Sequence, residues 1–206
     1  MLRLKNHKFV FFYFLFLFIL PSSVCAENVL SRYLANAEID TSIDPCKDEV
    51  NFDEYYREAS DVFGIEEDIL RAISKVESGG KSCAINLDGK SYFPKTFPEA
   101  SKFIGKSADF GVMQVNQYWV KRLNLNSKSL FYPRINILVG AFILSEEFKS
   151  FGFSWKAFGG YHRGRNFESS ALKKKRAIEY YYAVKSAYDK IKSRRTKEEI
   201  KTISCG

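Results

Sequence analysis

A mainly α-helical domain carrying one small β-hairpin is the fold class this sequence predicts, and three observations lead to it. Apolar residues recur at i, i+3, i+4 spacing in several separate segments, the signature of helices with one buried face. Residues 135–144 form an apolar run interrupted only by Asn136 and Gly140, which reads as part of a long buried helix. The clearest strand signal is Asp88-Gly89 between two short β-favouring runs, the pattern of a tight hairpin over residues 84–93.

The elements follow in order. Residues 1–26 read as an export signal: Arg3, Lys5 and Lys8 start it, residues 9–20 are unbroken apolar, and Val24-Cys25-Ala26 ends in a small residue. Twelve apolar residues are short for a membrane span. Cleavage after Ala26 is therefore expected; lipidation of Cys25 and retention as an anchor are the rivals. Residues 27–50 form a polar lead-in, expected to be irregular, and residues 51–192 the domain itself. Residues 52–63 read as a helix capped by Asn51 or Asp53 and stopped by Gly64. A second helix covers 66–77, a short one 98–104 begins at a proline, and turn and helix are expected over 110–119, with Asp109 as cap. Helices over 135–151, 155–161 and 169–192 complete the domain, and residues 193–206 are expected to be a basic tail.

The processed chain of about 180 residues suits one domain with a real core, and no later segment is apolar enough to cross a bilayer. The charge of +8 is uneven: residues 172–201 hold eleven Lys or Arg against four acids. Ala177, Tyr181, Val184, Tyr188 and Ile191 give that segment an apolar face, so it reads as a packed helix with a solvated basic side. No nucleic-acid module is present. Cys46, Cys83 and Cys205 remain after processing, so at most one internal disulfide forms. Chain ends often lie together, which favours Cys46 with Cys205 over Cys46 with Cys83. Two histidines in the precursor, one of them in the signal, leave no metal site and no Cys–His nucleophile pair, and no cofactor is implied.

Glu77 is the most informative residue. It follows the helical stripe Ile65, Ile69, Ala72, Ile73 and Val76, lies four residues after Ile73, and precedes Ser78-Gly79-Gly80. A carboxyl on an apolar face loses solvation, and desolvation is how proteins keep an acid protonated and ready to donate.

Two further segments matter: Asp109-Phe110-Gly111-Val112-Met113-Gln114-Val115-Asn116 and Trp155-Lys156-Ala157-Phe158-Gly159-Gly160-Tyr161-His162. With residues 73–80 they resemble the catalytic core of the lysozyme-like lytic transglycosylases. The resemblance is closer to the small periplasmic members that accompany secretion and conjugation machines, and it covers residues 55–188. It implies a lysozyme-like fold, a periplasmic location, peptidoglycan glycan strands as substrate, and a secretion, conjugation or flagellar assembly as partner. It places the acid–base at Glu77. Ser78 would hydrogen-bond substrate or orient the carboxyl, Gln114 would contact sugar, Asn116 would hold the motif loop, and Tyr161 would help position Glu77. Many relatives have Asn where His162 stands, so His162 binds sugar or supports the site. Met113 reads as core. Relatives often pair cysteines at the places held here by Tyr55 and Arg134. Between the motifs, Tyr92 is the aromatic residue expected in the cleft, while Phe97 and Phe103 pack beneath the hairpin.

Hydrolytic glycosidases usually need two carboxylates at a set separation. Here one acid sits on an apolar face, and Asp109 is the only other acid in the three motifs. Transglycosylases need only one, because the muramyl primary hydroxyl attacks in place of water. Two other functions stay open: a hydrolytic muramidase using Asp109 or a loop acid, and a non-catalytic peptidoglycan-binding assembly protein, against which the intact Glu77 argues.

Overall fold

The computed structural model describes residues 23–35, 44–47 and 51–204. Most of the expected export signal and Cys205 lie outside these residues. The fold is lysozyme-like: helices surround one long central helix, with a small antiparallel sheet at one side.

Helix α1 (Ser23–Ala35) crosses the expected processing point and continues into the lead-in expected to be irregular. It is held by burial of Leu30 in the core, by packing against the central helix, and by a Glu27–Arg122 ion pair of 3.1 Å. Helix α2 (Asp53–Phe63) starts where Asn51 Oδ1 accepts the Asp53 N–H, and stops at Gly64 in the left-handed region. Helix α3 (Glu67–Glu77) buries Ile69, Leu70, Ala72 and Ile73 along the predicted stripe.

The hairpin forms where Asp-Gly placed it: β1 (Ile85–Leu87) pairs β2 (Lys90–Tyr92) with Leu87 opposite Lys90. The sheet is larger than expected. After the short α4 (Phe97–Ser101), β3 (Asp109–Phe110) adds to the other edge of β1, and β4 (Val115–Asn116) pairs β3, giving the order β2-β1-β3-β4. Where turn and helix were expected over 110–119, a tight strand–turn–strand precedes α5 (Tyr118–Arg122), and Asp109 is a strand residue rather than a helix cap.

A 3₁₀ turn (Ser127–Phe131) leads into α6 (Pro133–Phe151), which is buried along most of its length. Arg134 at its start grips Glu58 of α2 through two bonds of 2.6 and 2.7 Å. Arg134 is one of the two places where relatives were expected to carry a cysteine; the other, Tyr55, lies one turn before Glu58 on α2. Helix α7 (Trp155–Arg163) packs on α6, and α8 (Ala171–Ser204) packs on both α7 and α3. The expected basic tail is the continuation of α8: Arg195 Nη1 lies 3.0 Å from the buried Asp68, and Lys192 lies 2.7 Å from Glu66, at the start of α3. Opposite charges on the two helices hold the extension down.

The disulfide expectation is corrected. Cys46 pairs with Cys83, their Cα atoms 5.0 Å apart, joining the lead-in to the turn before β1. Ser82 Oγ donates to Pro45 O at the same junction.

Candidate active site

Helix α3 delivers Glu77 at its last turn. Ser78 leaves the helix with its N–H still on Ser74 O, and Gly79 and Gly80 then reverse the chain with φ of +70° and +83°. The Glu77 side chain is 13% exposed, which keeps a way open for a ligand while removing most water.

Ser78 itself is buried. Its hydroxyl donates to Val112 O at 2.7 Å and accepts from the N–H groups of Gly80 and Lys81. Its oxygen is therefore committed to joining the end of α3 to the loop between β3 and β4. These bonds fix Ser78 beside Glu77 at the junction of α3 and the loop.

That loop is held from below by α6. Asn136 is fully buried; its Oδ1 accepts from Met113 N at 2.7 Å, and its Nδ2 donates to Phe110 O and Leu130 O, both at 2.8 Å. One turn later Gly140 leaves room for Met113, whose sulfur would stand 2.8 Å from a Cβ there. Gly111 has a φ of +79°, and a Cβ on it would fall 2.4 Å from both Asn136 Nδ2 and Leu130 O. Only glycine fits that approach. Gln114 takes a left-handed φ of +50°, an uncommon state for a residue with a side chain. Its amide offsets the strain by donating to Ala84 O and Gly111 O, both at 2.9 Å. Asn116 donates to Asp109 Oδ1 at 2.7 Å across the β3–β4 pair and accepts from Tyr118 N.

Helices α7 and α8 close the other side. Tyr161 donates its hydroxyl to Met113 O at 2.8 Å, so it clasps the loop. Part of its surface stays exposed, yet burial of the phenol, reinforced by the Glu77 and Asp109 charges, pushes its pKa well above the ordinary range. His162 Nδ1 lies 3.6 Å from Glu77 Oε1, and its ring stacks on Tyr180 of α8 with centroids 4.2 Å apart and planes 7° apart. The Tyr180 hydroxyl is buried beside the Glu77 carboxyl, with which it interacts outside full hydrogen-bond geometry. Burial first, and the Glu77 charge second, hold Tyr180 protonated well above its usual range. Both phenols are therefore neutral donors at any physiological pH.

Asp109 is the second acid within electrostatic reach. Burial raises its pKa, the Asn116 hydrogen bond lowers it, and the charge of Glu77 raises it again. Tyr92 lies on the edge strand β2, exposed, with its ring on Phe103 at 4.9 Å.

The structure thus brings Glu77, Ser78, Gln114, Asn116, Tyr161 and His162 to one place. It adds Tyr180, Asn136 and Asp109. The arrangement is one of acid–base chemistry: a shielded carboxyl ringed by neutral hydroxyls, an imidazole and a rigid loop. No cluster of His, Cys, Asp and Glu among the described residues is built to hold a metal ion.

The transglycosylase SLT domain family matches residues 54–184. The chain is 34% identical over 153 residues to Invasion protein IagB of Salmonella typhi, covering 71% of this chain and 82% of that one. It is 28% identical over 126 residues to Protein IpgF of Shigella flexneri, covering 59% and 70%. A Peptidoglycan-binding-like protein of Escherichia coli O157:H7 is 32% identical over 117 residues, covering 53% and 63%.

Proposed function

Because the chain belongs to the transglycosylase SLT domain family, we propose that it is a peptidoglycan lytic transglycosylase. It cleaves the β-1,4 bond between N-acetylmuramic acid and N-acetylglucosamine and leaves 1,6-anhydro-muramyl ends.

The observation that carries this reading is the unequal footing of the two acids. Glu77 stands in the site with its side chain 13% exposed and His162 Nδ1 3.6 Å from its carboxyl. Asp109 has an oxygen taken by Asn116 at 2.7 Å, and burial and the Glu77 charge both disfavour its ionised form. A hydrolase needs that second carboxylate free to activate water or attack carbon. A transglycosylase does not. Glu77 gives its proton to the bridging oxygen as the C1–O bond breaks, and an oxocarbenium-like centre forms at C1. The resulting Glu77 carboxylate takes the proton of the muramyl C6 hydroxyl while O6 bonds to C1. The acid is restored and no water is consumed. Tyr180 and His162 hold the carboxyl between these steps, and Tyr161 fixes the loop that frames it.

The export reading is part of the same proposal: the mature chain starts at Glu27 and works in the periplasm, where glycan strands are. The likeness of the three motifs to the secretion- and conjugation-associated members supports service to a secretion, conjugation or flagellar assembly. The enzyme reading is tested by clearing of purified sacculi. Wild type should clear them, and folded Glu77→Gln, which can neither give nor take the proton, should not. Clearing by Glu77→Gln near the wild-type rate sinks it. For export, an intact-mass measurement of periplasmic protein should find Glu27 first, and lipid on Cys25 refutes it.

A further inference from the structure

An aromatic and basic surface runs over the outer face of α8 and onto the start of α7, which packs beside it. Phe153 is 66% exposed, Tyr182 62% and Leu172 57%. The two rings are the ends of one ladder: Phe153 meets Phe158 at 5.6 Å, Phe158 meets Tyr181 at 5.5 Å, and Tyr181 meets Tyr182 at 5.3 Å. Beside it, Lys156 and Lys174 both hold their ammonium groups 5.8 Å from the Trp155 ring. From Tyr182 the exposed face of α8 runs on through Lys185, Asp189, Lys190, Arg194 and Lys197.

The charge on this helix is one-sided. Residues 173–198 carry ten Lys or Arg and three acids, all exposed. Lys192 and Arg195 are engaged with α3, and Lys175 and Lys185 pair with Glu179 and Asp189. A strong positive excess remains. The orientation is fixed by helix geometry: Tyr180 is buried toward Glu77, and Tyr182, two positions on, points about 200° around the axis.

We propose that this face docks on an anionic lipid leaflet. Phe153, Tyr182 and Leu172 enter the boundary between headgroups and acyl chains, the Lys and Arg stems lie along it, and their charges meet lipid phosphates. An acidic polypeptide would use the cations but has no need of the exposed rings; the two together fit a lipid interface. No described helix is long and apolar enough to cross a membrane, and the docking proposed here is peripheral. Docked this way, the Glu77 cleft faces away from the lipid. The proposal rests on surface chemistry and not on the glycan reaction.

The test is co-sedimentation of the full mature chain with vesicles of phosphatidylcholine alone or mixed with phosphatidylglycerol. Binding is expected only with phosphatidylglycerol and should weaken as salt rises. Lys190→Glu with Arg194→Glu should weaken it at least tenfold, given about fivefold for each cation near the surface. Phe153→Ser with Tyr182→Ser should weaken it too but leave the salt dependence unchanged. All variants should keep wild-type circular dichroism and sacculus clearing, and Glu77→Gln should bind vesicles as wild type does. Equal binding to both vesicles, no binding to either, or binding untouched by both pairs of substitutions overturns the proposal. Retention on immobilised polyglutamate without vesicle binding also overturns it, in favour of an acidic protein partner.

Discussion

Replacing Asn136 by leucine should unfasten the active-site loop from below. The side chain is 0% exposed and satisfies three backbone groups: the Met113 N–H at 2.7 Å and the Phe110 and Leu130 carbonyls at 2.8 Å. Leucine fills similar space and satisfies none of them. Each orphaned buried group costs about 1–3 kcal/mol, and some relaxation toward water lowers the sum to about 3–6 kcal/mol. For a domain of this size that is a fall of about 6–24 °C in Tm. Asn136→Asp is the sharper test. It keeps the acceptor for Met113 but turns a carboxyl oxygen on two carbonyls. Only the protonated acid can donate to them, so its pKa in the folded state is raised over that in the unfolded chain. Stability contributed by the proton is present at low pH and is lost as pH rises through the folded pKa. The Tm gap between wild type and Asn136→Asp should therefore widen from about pH 4 to pH 8, starting near the unfolded aspartate value. Thermal unfolding by circular dichroism across that range reads it. A loss under about 1 kcal/mol for the leucine variant, or a pH-independent gap for the aspartate, refutes the role of Asn136 in fastening the loop.

Three further outcomes are expected. Asp109 has a raised folded pKa, from burial first, so wild type loses stability as pH rises above the unfolded value through the folded one; Asp109→Asn, which can still accept from Asn116, should gain stability relative to wild type over that window in chemical denaturation. The double variant Cys46→Ser with Cys83→Ser opens a loop of sequence separation 37 and should cost about 4 kcal/mol on the same assay. Tyr161→Phe removes the 2.8 Å bond to Met113 O and should cost about 1 kcal/mol in stability. Its sacculus clearing should fall by more than that small stability change explains, since the loop framing Glu77 is loosened.

The parts of this molecule written in local chemistry were legible in its sequence. Helix α3 shows its buried stripe from Ile69 to Ile73 and its stop at Gly79-Gly80, and the hairpin shows Asp88-Gly89. What long-range contacts decide was not legible. Strands β3 and β4 are two residues each, too short for alternation to appear, and β3 exists because β1 offers it an edge. Asp109, a plausible cap by type, became a strand residue for that reason. Helix α1 owes its place to Leu30 reaching the core, which the polar stretch around it hides. The pairing of Cys46 with Cys83 depends on how the lead-in folds back. On α8, Tyr180, Tyr181 and Tyr182 in succession blur the helical phase: the predicted stripe held Tyr181, while the fully buried ring is Tyr180, the one beside Glu77. Asn136 and Gly140 did leave a signal, as a polar and a small residue one turn apart in an apolar run. They read as interruptions of α6 and are its means of gripping the loop.

The central claim is that Glu77 works with the muramyl hydroxyl and not with water. Mass spectrometry of the soluble fragments released from purified sacculi tests it most directly, with folded Glu77→Gln as the control. Muropeptides one water lighter than the hydrolytic products, absent from the control, are the predicted result; fragments with ordinary reducing ends, or release that survives Glu77→Gln, contradict it.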